Sequence, residues 1–141
     1  MSIDIDLGQV QEKEPLHVAS YVLTFKEAPK IEATKAGDGY NVVADLVPEG
    51  FPDSSFRHWF SLKPGALSSP TPSVSIRKFL EVLGYPQAKL TGDVGQPVRV
   101  VTRDGSEVLL KYLRLRATIK HEKREGQDQP NIRLDKVEGV A

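Results

Sequence analysis

Cationic side chains near the end of the chain recur at a spacing that suits the binding of a polyanion. Residues 113–120 read LRLRATIK, a strict alternation of apolar and polar side chains. Successive side chains of a β-strand point to opposite faces of its sheet, so the apolar set is expected to face a core. The polar set can then follow a phosphate backbone, with binding that weakens as salt concentration rises. The apolar set is Leu113, Leu115, Ala117 and Ile119, and the polar set is Arg114, Arg116, Thr118 and Lys120.

The cationic pattern continues beyond this strand. Lys123 and Arg124 lead into a polar hairpin tip, and Arg133 and Lys136 follow on the return strand. A run of charges is usually a solvated face, but here the alternating aliphatic residues force several cations onto one face. We therefore predict phosphate contacts by the strand and by the hairpin. The predicted residues are Arg114, Arg116, Lys120, Lys123 and Arg124.

An aromatic strand at residues 56–62 offers a second element of nucleic-acid recognition. If Phe56 and Phe60 face the core, the residues between them alternate outward. Arg57 and Trp59 would then form a stacking platform, on which each base is worth about 1–3 kcal/mol. Two alternatives stay open: a bulge could reverse the parity and bury Trp59, or Trp59 could cover the helix.

Three further residues lie near the turns. Lys35 and Arg99 are weaker candidates for DNA binding, because they lie near the loops that would flank a groove. Tyr40 follows the turn at residues 37–39 and is expected in the core, since it shares the parity of Val42.

Signals for catalysis are weak. His17, His58 and His121 are far apart in the sequence and lack the spacing of metal ligands. The chain has no Gly-Lys-Ser/Thr phosphate loop, no Gly-x-Ser-x-Gly elbow and no dinucleotide-binding fingerprint. We therefore expect no enzyme activity and no requirement for a metal or cofactor. A small hydrolase or nuclease would need a carboxylate cluster to hold a metal.

The elements that position these residues are expected to be mainly strands. One helix is predicted, with Ser73 as a good N-cap and Gly84 at its C-terminal end. A bend at Pro29 and a hairpin turn at residues 36–39 divide the first half of the chain. Strands are predicted at residues 17–27, 30–34, 40–47, 56–62, 97–102, 108–120 and 131–137, with residues 108–120 forming either one long strand or two bent ones.

The order of these elements suggests a fold class. Because no helix alternates with strands, a parallel α/β sheet is not expected. The expected class is all-β with one helix: a five-stranded antiparallel Greek-key barrel of the oligonucleotide-binding (OB) type. The helix would lie between strands 3 and 4, and an extended hairpin would end the barrel. Another small Greek-key barrel, or a β-sandwich with one helix, would fit the same order.

Composition limits the kind of protein. The 141 residues suffice for one domain, which we place at residues 16–141 after a flexible acidic arm at residues 1–15. The absence of cysteine excludes disulfides and Cys-based zinc sites, which suits a reducing cytoplasm. No apolar run approaches the roughly 20 residues of a membrane span, and the N-terminus lacks a signal-peptide pattern. We therefore expect a soluble, cytoplasmic protein without a membrane partner.

Charge is unevenly distributed along the chain. Net charge is zero, which alone argues against a nucleic-acid binder. Residues 1–56 hold four Lys/Arg against ten Asp/Glu, a net charge of −6, whereas residues 57–141 hold fifteen against nine, a net charge of +6. Such asymmetry can mark a polyanion-binding face, although uneven scatter in a chain of this size would also produce it.

Three segments give the chain a resemblance to a known family. They are residues 31–47, with TKAG leading into a strand, residues 75–84, and residues 113–137, with KHE and then Gly126, Asn131 and Ile132 in the closing hairpin. In order and spacing they resemble the small OB-fold single-stranded DNA-binding proteins of tailed bacteriophages and related mobile elements. The resemblance implies sequence-tolerant binding of single-stranded DNA in phage replication or recombination, in the host cytoplasm. Replication or recombination proteins would be partners.

The chain departs from that family at its ends. Many members end in an acidic tail that recruits partners, whereas this chain ends in VEGVA and carries acidic residues near its start, at Asp4, Asp6, Glu12 and Glu14. We hypothesise that this arm competes with DNA for the basic face. A rival interpretation is a structural or assembly protein, such as a virion or adaptor component. Pairing of an exposed edge strand could also give a homodimer.

Overall fold

A computed structural model describes residues 1–9 and 15–141, which form mainly antiparallel β-sheet. Two residues of the expected acidic arm, Glu12 and Glu14, lie outside the described residues. The strands are β1 (Ser20–Phe25), β2 (Lys30–Ala33), β3 (Tyr40–Pro48), β4 (Phe56–Ser61), β5 (Lys89–Thr91), β6 (Arg99–Val101), β7 (Glu107–Val108), β8 (Arg114–Glu122) and β9 (Asn131–Val140). This composition confirms the all-β class.

Two α-helices and two 3-10 turns accompany the strands. The helices are α1 (Pro64–Leu67) and α2 (Ile76–Val82), and the turns are Leu7–Gln9 and Leu110–Tyr112. The expectation of one helix is therefore wrong: Pro64, whose fixed φ suits the first helical turn, starts the short α1 in what reads as an irregular loop. None of the helices in the described residues has the length and apolar character needed to cross a bilayer.

The larger sheet is organised around β3. One edge of β3 pairs with β4, and its other edge pairs with β2 through residues 40–43 and with β1 through residues 46–48. Because β1 and β2 lie on the same edge of β3, they act as one strand interrupted at Pro29, which confirms the predicted bend. β8 pairs with β1, and β9 pairs with β8, all antiparallel.

This sheet is not closed by a hydrogen-bonded ladder. The outer strands β4 and β9 approach each other without pairing in the described residues. Two hydrogen bonds cross the gap: the Leu134 N–H donates to His58 Nδ1 over 3.4 Å, and Arg133 Nη1 donates to the Arg57 carbonyl over 3.5 Å. The expected closed barrel is thus seen only as an open, mostly antiparallel sheet.

A second, smaller sheet follows α2 in the chain. The strands β5, β6 and β7 form a separate three-stranded sheet, so residues 97–102 are not a strand of the larger sheet. The segment before β6 is hydrogen-bonded to β2: the Ile31 N–H donates to the Gln96 carbonyl over 3.1 Å. Gly92 has a φ of 144°, and a Cβ there would come 3.2 Å from the Pro97 carbonyl oxygen, so the close approach of the two backbone segments requires glycine at this position.

The helix α2 is capped at both ends. Its N-cap is Ser75 rather than the predicted Ser73: the Ser75 hydroxyl accepts from the Lys78 N–H over 3.2 Å. At the other end Gly84 has a φ of 98°, and the Tyr85 N–H donates to the Leu80 carbonyl over 2.8 Å. This is a Schellman arrangement, and it confirms the predicted end of the helix.

The core lies between the larger sheet and α2. The helix buries Ile76, Phe79 and Leu80, and the Phe79 ring lies 4.9 Å from that of Phe60 on β4. The predicted aliphatic set of β8 is confirmed as core for Leu115, Ala117 and Ile119, while Leu113 is half-buried ahead of the strand.

Candidate nucleic-acid interface

A groove runs over the gap between β4 and β9. Its main part has a volume of about 500 Å³, and a neighbouring cavity of about 210 Å³ shares His58, Trp59 and Arg133 with it. We call the two together the Trp59 groove. The side chains that give it polar or charged character, besides the shared three, are Lys35, Asn41, Ser61, Ser73, Lys120, Glu122 and Arg124.

Trp59 points outward, as the alternation of its strand predicts. The burial of Phe56, His58 and Phe60 alternates with the exposure of Arg57 and Trp59, so no bulge reverses the parity. The Trp59 side chain is 42% exposed. The guanidinium carbon of Arg133 lies 4.9 Å from the centroid of the Trp59 ring, a cation–π contact between β9 and β4.

His58, buried beneath the groove, hydrogen-bonds to two other segments of the chain. Its Nε2–H donates to the Ser73 carbonyl over 2.6 Å, and its Nδ1 accepts from the Leu134 N–H, so the neutral imidazole fits both partners. The pKa of His58 is lowered to about 4, chiefly by burial; the hydrogen bond to Ser73 opposes this shift, and the nearby charges of Arg133 and Lys120 add to it. His58 therefore joins β4, β9 and the segment before α2 beneath Trp59.

Turn geometry places Lys35 at one rim. In the loop between β2 and β3, the Thr34 N–H donates to the Gly39 carbonyl over 3.0 Å; the predicted turn forms, with its positive φ of 70° at Gly37 rather than at Asp38 and Gly39. Asp38 accepts from Lys63 Nζ over 2.7 Å and from the Thr34 hydroxyl over 2.7 Å. The Lys63 bond, followed by that of Thr34, lowers the pKa of Asp38 to about 2. The Asp38 carboxylate is thus engaged by Lys63 rather than by Lys35.

The hairpin between β8 and β9 places Arg124 at the other rim. The Arg124 N–H donates to Gln127 Oε1 over 3.2 Å, and the Gln127 N–H donates to the Arg124 carbonyl over 3.1 Å. Lys120 lies opposite Arg133 in the register of the two strands. Cations from three parts of the chain therefore converge on Trp59.

The cations of the groove are not neutralised by described carboxylates. Among residues 1–9 and 15–141, no Asp or Glu lies within 4 Å of the charged nitrogens of Lys35, Lys120, Arg124 or Arg133. Glu122 is the one acidic residue that lines the groove in the part of the chain that is described. The site therefore carries a strong positive charge around an exposed aromatic ring.

Three predicted cations are engaged elsewhere by carboxylates. Arg57 pairs with Asp45 over 2.9 Å, and this hydrogen bond, followed by the charges of Asp45, Glu32 and Glu27, raises the pKa of Arg57. Arg114 pairs with Glu49 over 2.6 Å, and Arg99 on β6 pairs with Glu107 over 3.2 Å in the second sheet. These pairs hold all three guanidinium groups outside the groove.

The nine predicted residues thus divide by position. Lys35, Trp59, Lys120 and Arg124 share the groove; Arg116 is exposed on the outer face of β8, and Lys123 is exposed at the hairpin. Arg133 and Asn41 were not among the predicted site residues. The register of the final hairpin, which sets Arg133 against Lys120, is the signal that could have identified Arg133. Tyr40, expected in the core, is 50% exposed at the start of β3, so that expectation is wrong.

Comparisons with known proteins add no assignment to this geometry. Neither the protein-family models, nor the curated proteins, nor the solved structures contain a match to this chain. Within the described residues, no group of three or more His, Asp or Glu side chains is arranged to hold a metal ion.

Proposed function

We propose that this protein binds single-stranded DNA, without catalysis and largely without regard to base sequence, in the Trp59 groove. One observation carries the proposal: an exposed tryptophan lies among four cations that have no described carboxylate partner. Backbone charge is common to every sequence, and every base has a π-face, so such a site tolerates all sequences.

The proposal favours single strands over duplex. A base can stack on Trp59 only when it is released from its neighbours, whereas paired bases already stack on one another. The cations on either side of the ring can then bind the phosphates that flank the stacked base. A role in replication or recombination, and an origin in a phage or mobile element, belong to the same proposal.

We further propose that the larger sheet is an OB-type barrel whose last ladder is replaced by side-chain contacts. Taken as one bent strand, β1 and β2 precede β3 and β4, α2 follows β4, and β8 and β9 complete five strands. From the bent strand β1/β2, the neighbouring strands are β3 and then β4 in one direction, and β8 and then β9 in the other. An OB fold has the same strand order. The second sheet is then an insertion, and β9 rather than β8 becomes the closing strand.

The position of the groove agrees with this assignment. Oligonucleotides bind OB folds on the face of strands 2 and 3, between the loop that joins strands 1 and 2 and the loop that joins strands 4 and 5. In this chain those elements are β3, β4, the loop that carries Lys35 and the hairpin that carries Arg124. The groove is lined by side chains of each of these elements.

Titration with oligo-dT tests the proposal. Because Trp59 is the single tryptophan of the chain, its emission reports on the groove directly. We expect saturable quenching that weakens with salt, with a slope of log K against log salt of about −3 for four phosphate contacts on a single strand. Trp59→Ala, measured by anisotropy of a labelled oligonucleotide, should weaken binding by a factor of about 5 to 150.

A matched control distinguishes the groove from general charge. Arg103 is exposed in the turn before β7 and does not line the groove, so Arg103→Ala should leave affinity nearly unchanged. Absence of any response at low salt by folded protein would refute the proposal and favour an assembly role. Metal-dependent cleavage of the oligonucleotide would contradict its non-catalytic part.

A further inference from the structure

The first residues of the chain carry an apolar strip that nothing in the described structure covers. Met1, Ile3, Ile5 and Leu7 are exposed, Ile3 by 79% and Leu7 by 78%, and they alternate with Ser2, Asp4 and Asp6. In an extended conformation alternate side chains share a face, so one face is apolar and the other acidic. Exposed apolar side chains that share one face are typical of a segment that binds another protein surface.

An apolar cavity of about 340 Å³ lies on a different part of the molecule, between α2 and β5. It shares no lining residue with the Trp59 groove. Its walls are mainly aliphatic and aromatic, with Leu67, Leu80, Tyr85 and Leu90 among them.

Charge at the cavity is complementary to the segment. Lys89, exposed on β5, has no carboxylate within 4 Å in the described part of the chain. Arg77 also lines the cavity, held in place by donation from its Nε to the Leu67 carbonyl over 2.9 Å. Arg77 also pairs with Glu81 over 3.5 Å, so among the described lining residues Lys89 is the cation available to the acidic face of the segment, opposite in sign to Asp4 and Asp6.

The edge of the second sheet offers backbone partners as well. β5 is an outer strand, and within the described residues only β6 pairs with it. An extended peptide can add to such an edge through main-chain hydrogen bonds, while alternate side chains enter an adjoining pocket. The alternating pattern of residues 1–7 suits this mode of binding.

We propose that residues 1–7 of one copy bind the apolar cavity and β5 edge of a second copy. The apolar face, with Ile3 and Ile5 at its centre, fills the cavity, and Asp4 lies against Lys89. The contact joins two different surfaces, so it leaves one segment and one cavity free and extends into an open chain of copies.

This arrangement has a consequence that rests on the proposed function. Copies bound side by side on one strand of DNA are at high effective concentration, so even a weak contact makes binding cooperative. Loss of the contact should abolish cooperativity while the affinity of an isolated protomer for a short oligonucleotide stays the same.

Sedimentation velocity of the full chain, without nucleic acid, tests the contact itself. The mean mass of the wild type should rise above 15.6 kDa with concentration. The double variant Ile3→Ser with Ile5→Ser should remain monomeric, because burial of two isoleucines is worth at least about a hundredfold in affinity. Val94→Ser removes another exposed apolar side chain, from a loop outside the segment and the cavity, and should behave as wild type.

A charge exchange identifies the cavity. Lys89→Glu should weaken association about fivefold, and Asp4→Lys in the same chain should restore it. A fluorescent peptide of residues 1–9 should bind the double serine variant, and Lys89→Glu added to that variant should weaken peptide binding.

Two results would overturn the inference. One is a mass of 15.6 kDa at all concentrations with no peptide binding. The other is a protein that stays monomeric at all concentrations while residues 1–7 occupy the α2–β5 cavity of the same chain. Failure of oligonucleotide binding would refute the proposed function alone, since the mass and peptide measurements contain no DNA.

Discussion

Acidification should destabilise this fold through His58. The buried imidazole donates from Nε2 to the Ser73 carbonyl and accepts at Nδ1 from the Leu134 N–H, and a protonated ring would lose the second bond. Burial, with the charges of Arg133 and Lys120, lowers the pKa of His58 from 6.5 to about 4 in the folded state.

The sign follows from linkage. Because the unfolded chain binds this proton more tightly than the folded chain, the contribution of His58 is complete above about pH 6.5 and falls as the pH drops toward 4. The free energy of unfolding should decrease by about 2 kcal/mol at about pH 5, and the loss approaches about 3 kcal/mol below about pH 4.

Urea unfolding of the wild type and of His58→Gln, at about pH 7.5 and about pH 5, measures this contribution. Glutamine keeps an N–H donor and cannot be protonated, and the other titrating groups are common to both chains. The wild type should therefore lose about 2 kcal/mol more than the variant on acidification. Equal losses of unfolding free energy in the two proteins, or an imidazole pKa near 6.5 by NMR, would show that His58 is not a buried neutral side chain with two hydrogen bonds.

Three more outcomes follow from the contacts around α2 and the groove. Arg133→Ala should weaken oligonucleotide binding, change Trp59 emission and reduce the slope of log K against log salt by about 0.7. Arg133→Lys should keep that slope. An unchanged slope in the alanine variant would exclude a phosphate contact. Lys120→Ala should weaken binding more than Arg114→Ala, because Glu49 holds Arg114; equal effects in anisotropy titrations would contradict that difference. Ser75→Ala should lower the free energy of unfolding by about 1–2 kcal/mol, because the Ser75 hydroxyl caps α2 and donates to the Leu67 carbonyl. Ser55 is exposed, and Ser55→Ala serves as the control. A loss in Ser75→Ala as small as that in the control would refute the role of the cap.

Local patterns of the sequence predicted individual elements well. The alternation at β8 assigned Leu115, Ala117 and Ile119 to the core, and the alternation at β4 exposed Trp59. Both inferences depend only on the two-residue repeat of a strand, which holds wherever one face is buried. The end of α2 at Gly84 was also predictable, because glycine adopts the positive φ of that position without steric cost.

Placement of those elements relative to one another could not be predicted in the same way. Residues 97–102 have a clear strand pattern, but the pattern does not specify the partner strand, and they joined β5 and β7 instead of the larger sheet. The 3-10 turn at Leu110–Tyr112 separates β7 from β8, so residues 108–120 are not one long strand, and the sequence left open whether they were one strand or two. Arg133 was missed for a related reason: its role depends on contact with Trp59, which is 74 positions away along the chain.

Zero net charge is compatible with the proposed binding of a polyanion in the groove, because positive and negative charges are separated in space. Carboxylates of residues 1–56 pair with cations of residues 57–141 at positions outside the groove, namely Asp38 with Lys63, Asp45 with Arg57 and Glu49 with Arg114. These pairs neutralise cations on the outer face without touching Lys35, Lys120, Arg124 or Arg133. The basic alternation at β8 therefore overstates the site: Arg114 is held by Glu49, Arg116 lies opposite Gly139, and only Lys120 reaches the groove. A binding face at this surface depends less on how many cations a strand carries than on which of them the fold leaves without a carboxylate beside Trp59.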